Sequence, residues 1–337
     1  MATWLVTGGA GFIGSHLVES LLMQGEQVRT LDNLSTGHAS NLEDVRRRVG
    51  ESAWARHNFI HADILDLDAC RRACNGAQFV LHQAALGSVP RSIADPIASN
   101  AANVSGFLNL LVAAKDAGIR RVVYASSSSV YGDHPALPKV EDQTGQPLSP
   151  YAVTKVVNEL YAGVFSKVYG MEVIGLRYFN VFGARQDPEG PYAAVIPRWV
   201  KSLLRDEEVR IHGDGETTRD FCYVKNVVQA NLKAATTDSL DADRRVLNVA
   251  VNQRVSLNVL FGTLVELLSC THPVVRSRHP VFVEFRQGDV RHSLADISRA
   301  REVIGYSPTH DLRAGLEEAL PWYVSQFERS SSPVTRC

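Results

Sequence analysis

The sequence predicts an α/β fold, a doubly wound parallel sheet joined to a smaller, discontinuous α/β lobe toward the C-terminus. Three observations carry this expectation. Short apolar runs at 4–7, 27–31, 59–62, 79–82, 122–125 and 173–176 alternate with helical patterns at 13–24, 67–74, 97–117 and 151–169. The short runs are uniformly apolar, as expected where helices cover both faces of a sheet. After Gly183 the texture changes to short segments broken by Pro188, Gly190 and Pro191. Strand–helix–strand repetition winds right-handed and sets its helices on the two faces of a parallel sheet.

The first apolar run leads into Thr7-Gly8-Gly9-Ala10-Gly11-Phe12-Ile13-Gly14 and then a helical pattern. Gly8 permits a tight turn, Gly11 lets a pyrophosphate approach the backbone, and Gly14 lets the helix pack closely on the sheet. The free N–H groups of that helix start then face the phosphates. This is the dinucleotide-binding (Rossmann) arrangement. Asp32 ends the second run, where a carboxylate accepts both ribose hydroxyls and repels a 2′-phosphate. NAD is therefore expected rather than NADP. Asp63 follows the third run and Gln83-Ala84-Ala85 the fourth, at strand ends where ligands bind in such sheets. Asp63 is read either as an adenine contact or as the N-cap of the next helix. Phe12, Ile13, Asn33, Ser35, Gly37, Ile64, Asn103 and Tyr178 complete the expected cofactor cleft.

Tyr151 and Lys155 stand four apart on one face of a helix that Ser149-Pro150 introduces. A tyrosine, with a reference pKa of about 10, is too weak an acid to supply a base near neutrality. A lysine ammonium one turn away and a positive nicotinamide favour the phenolate. The run Ala125-Ser126-Ser127-Ser128-Ser129-Val130-Tyr131-Gly132 closes the fifth strand with hydroxyls beside this pair. Most of the four serines are read as turn and cap chemistry, and one as catalytic.

Gly8 to Gly14, Asp32-Asn33-Leu34, the serine run, Tyr151-Ala-Val-Thr-Lys155 and Arg177-Tyr178-Phe179-Asn180 resemble the extended short-chain dehydrogenase family. The resemblance spans roughly residues 3–325 and is strongest to the NAD-dependent UDP-N-acetylglucosamine 4-epimerases of bacterial polysaccharide pathways. It implies that Tyr151 takes the 4-hydroxyl proton while C4 gives hydride to a tightly bound NAD. The 4-keto sugar then swings over and receives the hydride on its opposite face. Lys155 lowers the tyrosine pKa. Ser127 bonds the reacting oxygen, with Ser128 as the alternative.

The resemblance also implies a UDP-sugar clamp. Asn180, Arg219, Arg286 and Asp289 match positions that hold the diphosphate and uridine, and an arginine fork suits a diphosphate. Surface ion pairs within Arg219-Asp220 and Arg286/Asp289 are the alternative. Gln186, Ala194 and Val195 lie in the segment expected to wrap sugar and uracil. The Ala85-to-Arg91 loop, with Ser88 in it, looks like that of the N-acetylhexosamine subgroup. Ser293 falls where some relatives carry a bulky residue, and a serine there leaves room for a 2-acetamido group. It would otherwise face solvent.

Competing readings use the same scaffold. A 4,6-dehydratase places Asp-Glu where this chain has Ser128 and Ser129, and decarboxylation goes with a glutamate absent from the run. Epimerases of UDP-glucose or of UDP-hexosaminuronic acids stay open as alternatives. A non-catalytic NAD-sensing regulator typically loses the tyrosine or lysine that this chain keeps.

The expected division is a cofactor domain over 1–180 with later returns at about 221–252, including a strand at 247–250. A UDP-sugar lobe covers 181–328, and a serine-rich frayed tail covers 329–337. Composition narrows the class further. Of 337 residues, 45% are hydrophobic and 21% charged, ordinary for a soluble globular protein. The formal net charge of −1 gives no electrostatic footprint for nucleic acid or an anionic membrane, and neither partner is expected. No apolar run is read as approaching the ~20 residues of a membrane span. Ala2 onward enters a strand pattern without a basic segment or cleavage site, so no secretory signal is expected. Five scattered cysteines without CxxC spacing argue against a metal site or disulfide framework. They read as small buried hydrophobes in a reducing, cytoplasmic setting. A homodimer, paired through the apolar faces of 97–117 and 151–169 as in relatives, is the expected assembly.

Overall fold

The computed structural model describes residues 1–189, 193–238, 245–285 and 290–331, with residues 329–331 described by backbone only. The amino-terminal half supplies strands β1 (Thr3–Thr7), β2 (Gln27–Asp32), β3 (His57–His61), β4 (Phe79–His82), β5 (Arg121–Ser127) and β6 (Glu172–Tyr178). With Val246–Val249 they form a parallel sheet of seven described strands, ordered Val246–Val249, β6, β5, β4, β1, β2, β3. The return expected at 247–250 is present, with Val246 opposite Gly175 and Val249 opposite Tyr178. Strand order reverses at β1, which pairs with β2 on one side and β4 on the other. Loops leaving the carboxyl ends of β1 and β4 diverge there and open a crevice.

Central strands are buried on both faces; β6 is buried at every position. The edge strand β3 departs from the expected uniform burial, since Asn58, Phe59 and His61 are exposed. An edge has one neighbour and less helical cover, so an apolar residue there does not imply a buried one. Helices fill the two faces. One cluster packs Leu17, Leu21, Val227 and Ala230 on Val6, Val123 and Leu176. The other packs Phe107, Leu110, Leu111 and Phe165 on Leu5, Val80 and Val122. A third cluster of Phe182, Trp199, Phe221, Tyr223, Phe261 and Tyr323 gathers the later segments beyond the strand ends.

Helix Pro150–Tyr169 starts where the sequence signals place it. Ser149 accepts from the Ala152 N–H, Pro150 occupies the first turn, and Gly170 closes the helix at φ +67°. The helix expected over 97–117 is instead three continuous pieces, Pro96–Asn100, a π-helical turn Ala101–Ser105, and Gly106–Asp116. The run Pro96–Asp116 has 21 residues and contains an 18-residue stretch with a mean hydropathy of 1.3, enough by length and composition to cross a membrane. This corrects the reading that no such run exists. Scattered Asn, Ser and Gly residues break its apolar pattern, but the surrounding Ile, Val, Leu, Phe and Ala residues keep the mean high. Its inner face, including Phe107 and Leu110, is fully buried on the sheet.

Cys70, Cys74 and Cys222 are free and buried as expected, whereas Cys270 is free but exposed, and Cys337 lies outside the described residues. Helix Leu312–Ser331 carries the backbone three residues into the segment expected to fray, and 332–337 lie outside the described residues.

Candidate active site

The turn after β1 is built by glycines that leave no room for a side chain. A Cβ on Gly8, at φ +68°, would lie 2.6 Å from the Ala84 nitrogen, and one on Gly14 would lie 2.0 Å from the Gly8 oxygen. Gly11 meets only the Gly8 oxygen, at 3.1 Å, so its outer side is open. Helix Phe12–Met23 begins there without a side-chain cap, leaving its first N–H groups toward the crevice. An open glycine cradle against an uncapped helix start fits the diphosphate of a dinucleotide.

Asp32 is buried at the end of β2. Its Oδ2 accepts from the Ala10 N–H at 2.9 Å and its Oδ1 from the Leu34 N–H at 2.8 Å. Each oxygen keeps acceptor capacity toward a cavity of about 270 Å³. Gly8, Gly11, Asn33, Ser35, Gly37, Asp63, Ile64, Gln83, Ala84 and Ala85 share its wall. Asp63 accepts from the Asn33 amide at 2.7 Å and from the Leu65 N–H at 2.8 Å. The N-cap of helix Leu67–Cys74 is Asp66, not Asp63, which removes the capping alternative. Asn103 is buried behind the wall, bonded to both backbone groups of Leu86 and to Thr154. There it braces the 86 loop, next to the lining residues Ala101 and Ala102. Thr36, Ala98, Ala101 and Ala102 also line the cavity. The sequence reading missed them because the π-helical turn that presents the last two has no clear sequence signal.

A cleft of about 600 Å³ continues from this cavity past Phe12, Ile13 and Gly14 to Ser127, Tyr151, Lys155, Tyr178, Asn180, Gln186 and Ala194. The Tyr151 N–H donates to Ser92 Oγ at 3.0 Å. Burial pushes the Tyr151 phenol above its ordinary pKa, and a hydrogen bond from Ser127 pulls against that rise. Lys155 is buried and donates to the Ala125 carbonyl at 2.8 Å, with its Nζ 5.8 Å from the Tyr151 ring centroid. Burial lowers its pKa to about 8, opposed by the charge of Glu159. In the protein alone, then, the group that acts downward on the phenol is Ser127. Tyr178 is fixed by hydrogen bonds to Gln83 at 3.1 Å and from Asn231 at 2.8 Å.

The serine run divides. Ser126 turns to Glu159, and Ser127 lines the cleft with its Oγ 2.5 Å from Ser129 Oγ. Ser128 and Ser129 line an adjoining cavity of about 520 Å³ with Tyr131, Lys139, Asn180, Arg219 and Ser293. Ser293 lines this cavity, its N–H donating to the Thr218 carbonyl at 3.1 Å. Ser88 caps the short helix Val89–Ala94 through the Arg91 N–H at 3.3 Å and stands between residues of the two spaces.

At the far end a cavity of about 290 Å³ is lined by Asn180, Gln186, Ala194, Val195 and Arg219. Trp199, Arg210, His212 and Phe221 join them, unforeseen from the sequence. Strand Arg210–His212 is positioned by pairing with distant Val281–Val283, a contact that no local pattern announces. Asp220 turns inward, accepting from the Val251 and Ala295 N–H groups, and burial raises its carboxyl to about 6. The Arg219-Asp220 surface pair is thereby excluded. Arg286 and Asp289 lie outside the described residues.

A glycine-lined crevice at a strand-order reversal, running into a Tyr151–Lys155–Ser127 cluster whose lysine is buried and whose hydroxyls line the cleft, defines a dinucleotide-linked enzyme acting at a carbinol carbon. Residues 4–250 match the NAD dependent epimerase/dehydratase family. A UDP-N-acetylglucosamine 4-epimerase from Methanobrevibacter ruminantium M1, solved with UDP-N-acetylmuramic acid, is 39% identical with a TM-score of 0.87, covering 96% of this chain and 99% of that one. The UDP-glucose 4-epimerase of Mycolicibacterium smegmatis is 36% identical over 96% of this chain and 99% of its own length. A UDP-glucuronic acid 4-epimerase from Bacillus cereus, solved with UDP-glucuronic acid and NAD, is 30% identical with a TM-score of 0.83, covering 96% and 99%. The chain belongs to the NAD-dependent epimerase/dehydratase family, among its UDP-hexose 4-epimerases, with NAD as cofactor.

Proposed function

We propose that this protein is a UDP-N-acetylglucosamine 4-epimerase, interconverting UDP-GlcNAc and UDP-GalNAc. The observation that carries the choice of sugar is Ser293 in the wall of the 520 Å³ cavity beside Tyr151, where a small side chain leaves space for a 2-acetamido group. Bound NAD supplies a reversible two-electron oxidation at C4. Gly8, Gly11, Phe12, Ile13 and Gly14 would hold its diphosphate. Asp32, Asn33, Ser35 and Gly37 would hold the adenosine ribose, and Asp63, Ile64, Ala84 and Ala85 the adenine side. Gln83, Lys155 and Tyr178 stand at the nicotinamide end.

Tyr151 Oη takes the proton of the sugar 4-hydroxyl and returns it. Ser127 Oγ, which bonds the same phenol, steadies the reacting oxygen. Ser128 faces the neighbouring cavity, which favours Ser127 for this role. A Lys155 pKa of about 8 leaves the ammonium mostly charged at neutrality, where it stabilises a developing phenolate. Asn180 and Arg219 would hold the diphosphate of UDP, and Gln186, Ala194 and Val195 the uridine. The roles for Arg286 and Asp289 rest on resemblance alone. In this reading residues 1–180 and the 221–252 returns carry the cofactor, and most of 181–328 carries the UDP-sugar.

One observation favours a second reading. Lys139, buried in the same cavity wall, donates to the His134 carbonyl and has no carboxylate partner among the described residues. An ammonium there would suit the carboxylate of a UDP-hexosaminuronic acid. Incubation with UDP-GlcNAc, without added cofactor and with anion-exchange analysis, tests the first reading. It predicts UDP-GalNAc without net NADH. Conversion of only UDP-GlcNAc's uronic acid, or of UDP-glucose, contradicts it.

The exposed apolar residues Ile97, Leu160, Val164 and Val168 on Pro96–Asp116 and Pro150–Tyr169 support a homodimer through these helices. Light scattering at twice 37.0 kDa would agree, and a monomer at micromolar concentration would not. Free thiols at Cys70, Cys74, Cys222 and Cys270 support a reducing, cytoplasmic setting.

A further inference from the structure

We propose that Glu159 is a positioning residue for this site, clamped by Arg177 from β6 so that it fixes Ser126 and the side chain of Lys155. The inference takes its reaction from the epimerase reading, but its geometry stands independently. Glu159 follows Lys155 by four residues and Tyr151 by eight, so all three share one face of helix Pro150–Tyr169. Its Oε1 accepts from Ser126 Oγ at 2.6 Å and from Arg177 Nε at 2.9 Å, and its Oε2 accepts from Arg177 Nη2 at 2.7 Å.

Arg177 is itself immobilised. Its Nη1 donates to the Glu141 carbonyl at 2.9 Å, and its guanidinium carbon lies 4.8 Å from the Tyr131 ring centroid. A two-pronged guanidinium–carboxylate contact with a third anchor leaves the carboxylate little freedom.

Ser126 is the link to the chemistry. Its neighbour Ala125 accepts the Lys155 ammonium, and its other neighbour Ser127 bonds the Tyr151 phenol. Moving Ser126 therefore moves both contacts. Such a buried pair contributes little to stability compared with an apolar pair of similar volume, because desolvation offsets the attraction. Its negative charge one turn from Lys155 has a second effect, opposing the burial that favours neutral lysine. The titratable and charged groups facing Lys155 and Glu159 are Tyr151 on their own helix, His82 on β4, Tyr124 on β5, Arg177 and Tyr178 on β6, and, around the cavity that Glu159 lines, Glu141, Asp142, Lys167, Arg245 and Arg299.

The test is a titration of Lys155 by NMR in the cofactor-loaded protein carrying ¹³C-labelled lysine, comparing wild type with Glu159→Gln. The glutamine keeps an acceptor for Ser126 and removes the charge. The Lys155 midpoint should fall by about one pH unit or more, and the alkaline limb of kcat should fall with it. KM for the UDP-sugar should change by less than about twofold, since Glu159 touches no substrate. An unmoved midpoint with unmoved limbs overturns the proposal, even if overall activity drops. Should Glu159→Gln not fold, the double variant Glu159→Leu/Arg177→Met leaves no lone buried charge; because the opposing Arg177 charge goes with the carboxylate, a smaller fall of the Lys155 midpoint is expected, and no fall overturns the proposal. Wild type that titrates as described but turns over no UDP-sugar contradicts the epimerase reading and leaves the placement of Glu159 standing.

Discussion

The Lys155 ammonium donates a 2.8 Å hydrogen bond to the carbonyl of Ala125, tying the helix that carries Tyr151 to the strand that carries Ser127. The three groups are thus set by one helix–strand contact in the interior of the sheet. Burial acts on each titrating member in its own direction, upward for the phenol and downward for the ammonium.

Tyr151→Phe should lower kcat by about 10²–10⁴-fold while leaving Tm nearly unchanged, because only the hydroxyl that carries the proton is removed. Product formation from the UDP-sugar measures it. A loss below about tenfold would show that another group moves the proton.

Ser293→Tyr should depress turnover of UDP-GlcNAc by at least about tenfold while sparing UDP-glucose, because the ring fills the cavity beside the sugar. Ratios of kcat/KM for the two substrates provide the measure. Equal loss on both would mean that Ser293 does not discriminate the 2-acetamido group.

Gly14→Ala should destabilise the chain by about 1–3 kcal/mol and weaken NAD binding, because the added methyl meets backbone of Gly8 and Gly9 that cannot move aside. Gly262→Ala, on helix Leu257–Ser269 with open space around it, is the control and should be neutral or stabilising. Thermal melts and NADH fluorescence would show the contrast, and equal behaviour of the two variants would contradict it.

Stability should fall in mild acid. Burial holds the His16 and His82 rings neutral down to about pH 3 and His57 to about pH 4. In the unfolded chain these rings bind a proton near their ordinary value of about 6.5, so unfolding takes up protons across that window and acid favours it. Asp220, raised to about 6, acts in the opposite sense and offsets part of the loss. A Tm lower by about 5 °C or more at pH 4.5 than at 6.5 is expected. A flat profile would contradict it.

The legible parts of this protein were local in sequence. Gly8, Gly11 and Gly14, Asp32, and the Tyr151–Lys155 spacing each depend on residues within one turn or one strand end, and the cleft brings them together. Ser149-Pro150 marked its helix for the same reason. What was hidden depends on distant partners. Asp63 reads as a possible cap, but the helix begins after Asp66, whose carboxylate takes that place. Arg210 and His212 reach the far cavity only because Val281–Val283 pairs beside them, and the Glu159–Arg177 clamp joins a helix to a strand 18 residues away. Asn103 braces the Leu86 backbone, a use set by the π-helical turn.

The most direct test of the central claim is to run the reaction on UDP-GlcNAc in D₂O, without added cofactor, and to read the C4 position of the product by NMR. Transient oxidation at C4 within a closed site predicts UDP-GalNAc that retains the original C4 hydrogen, with no net NADH. Deuterium at C4, or UDP-GlcNAc left unchanged by protein that holds NAD, would contradict the account.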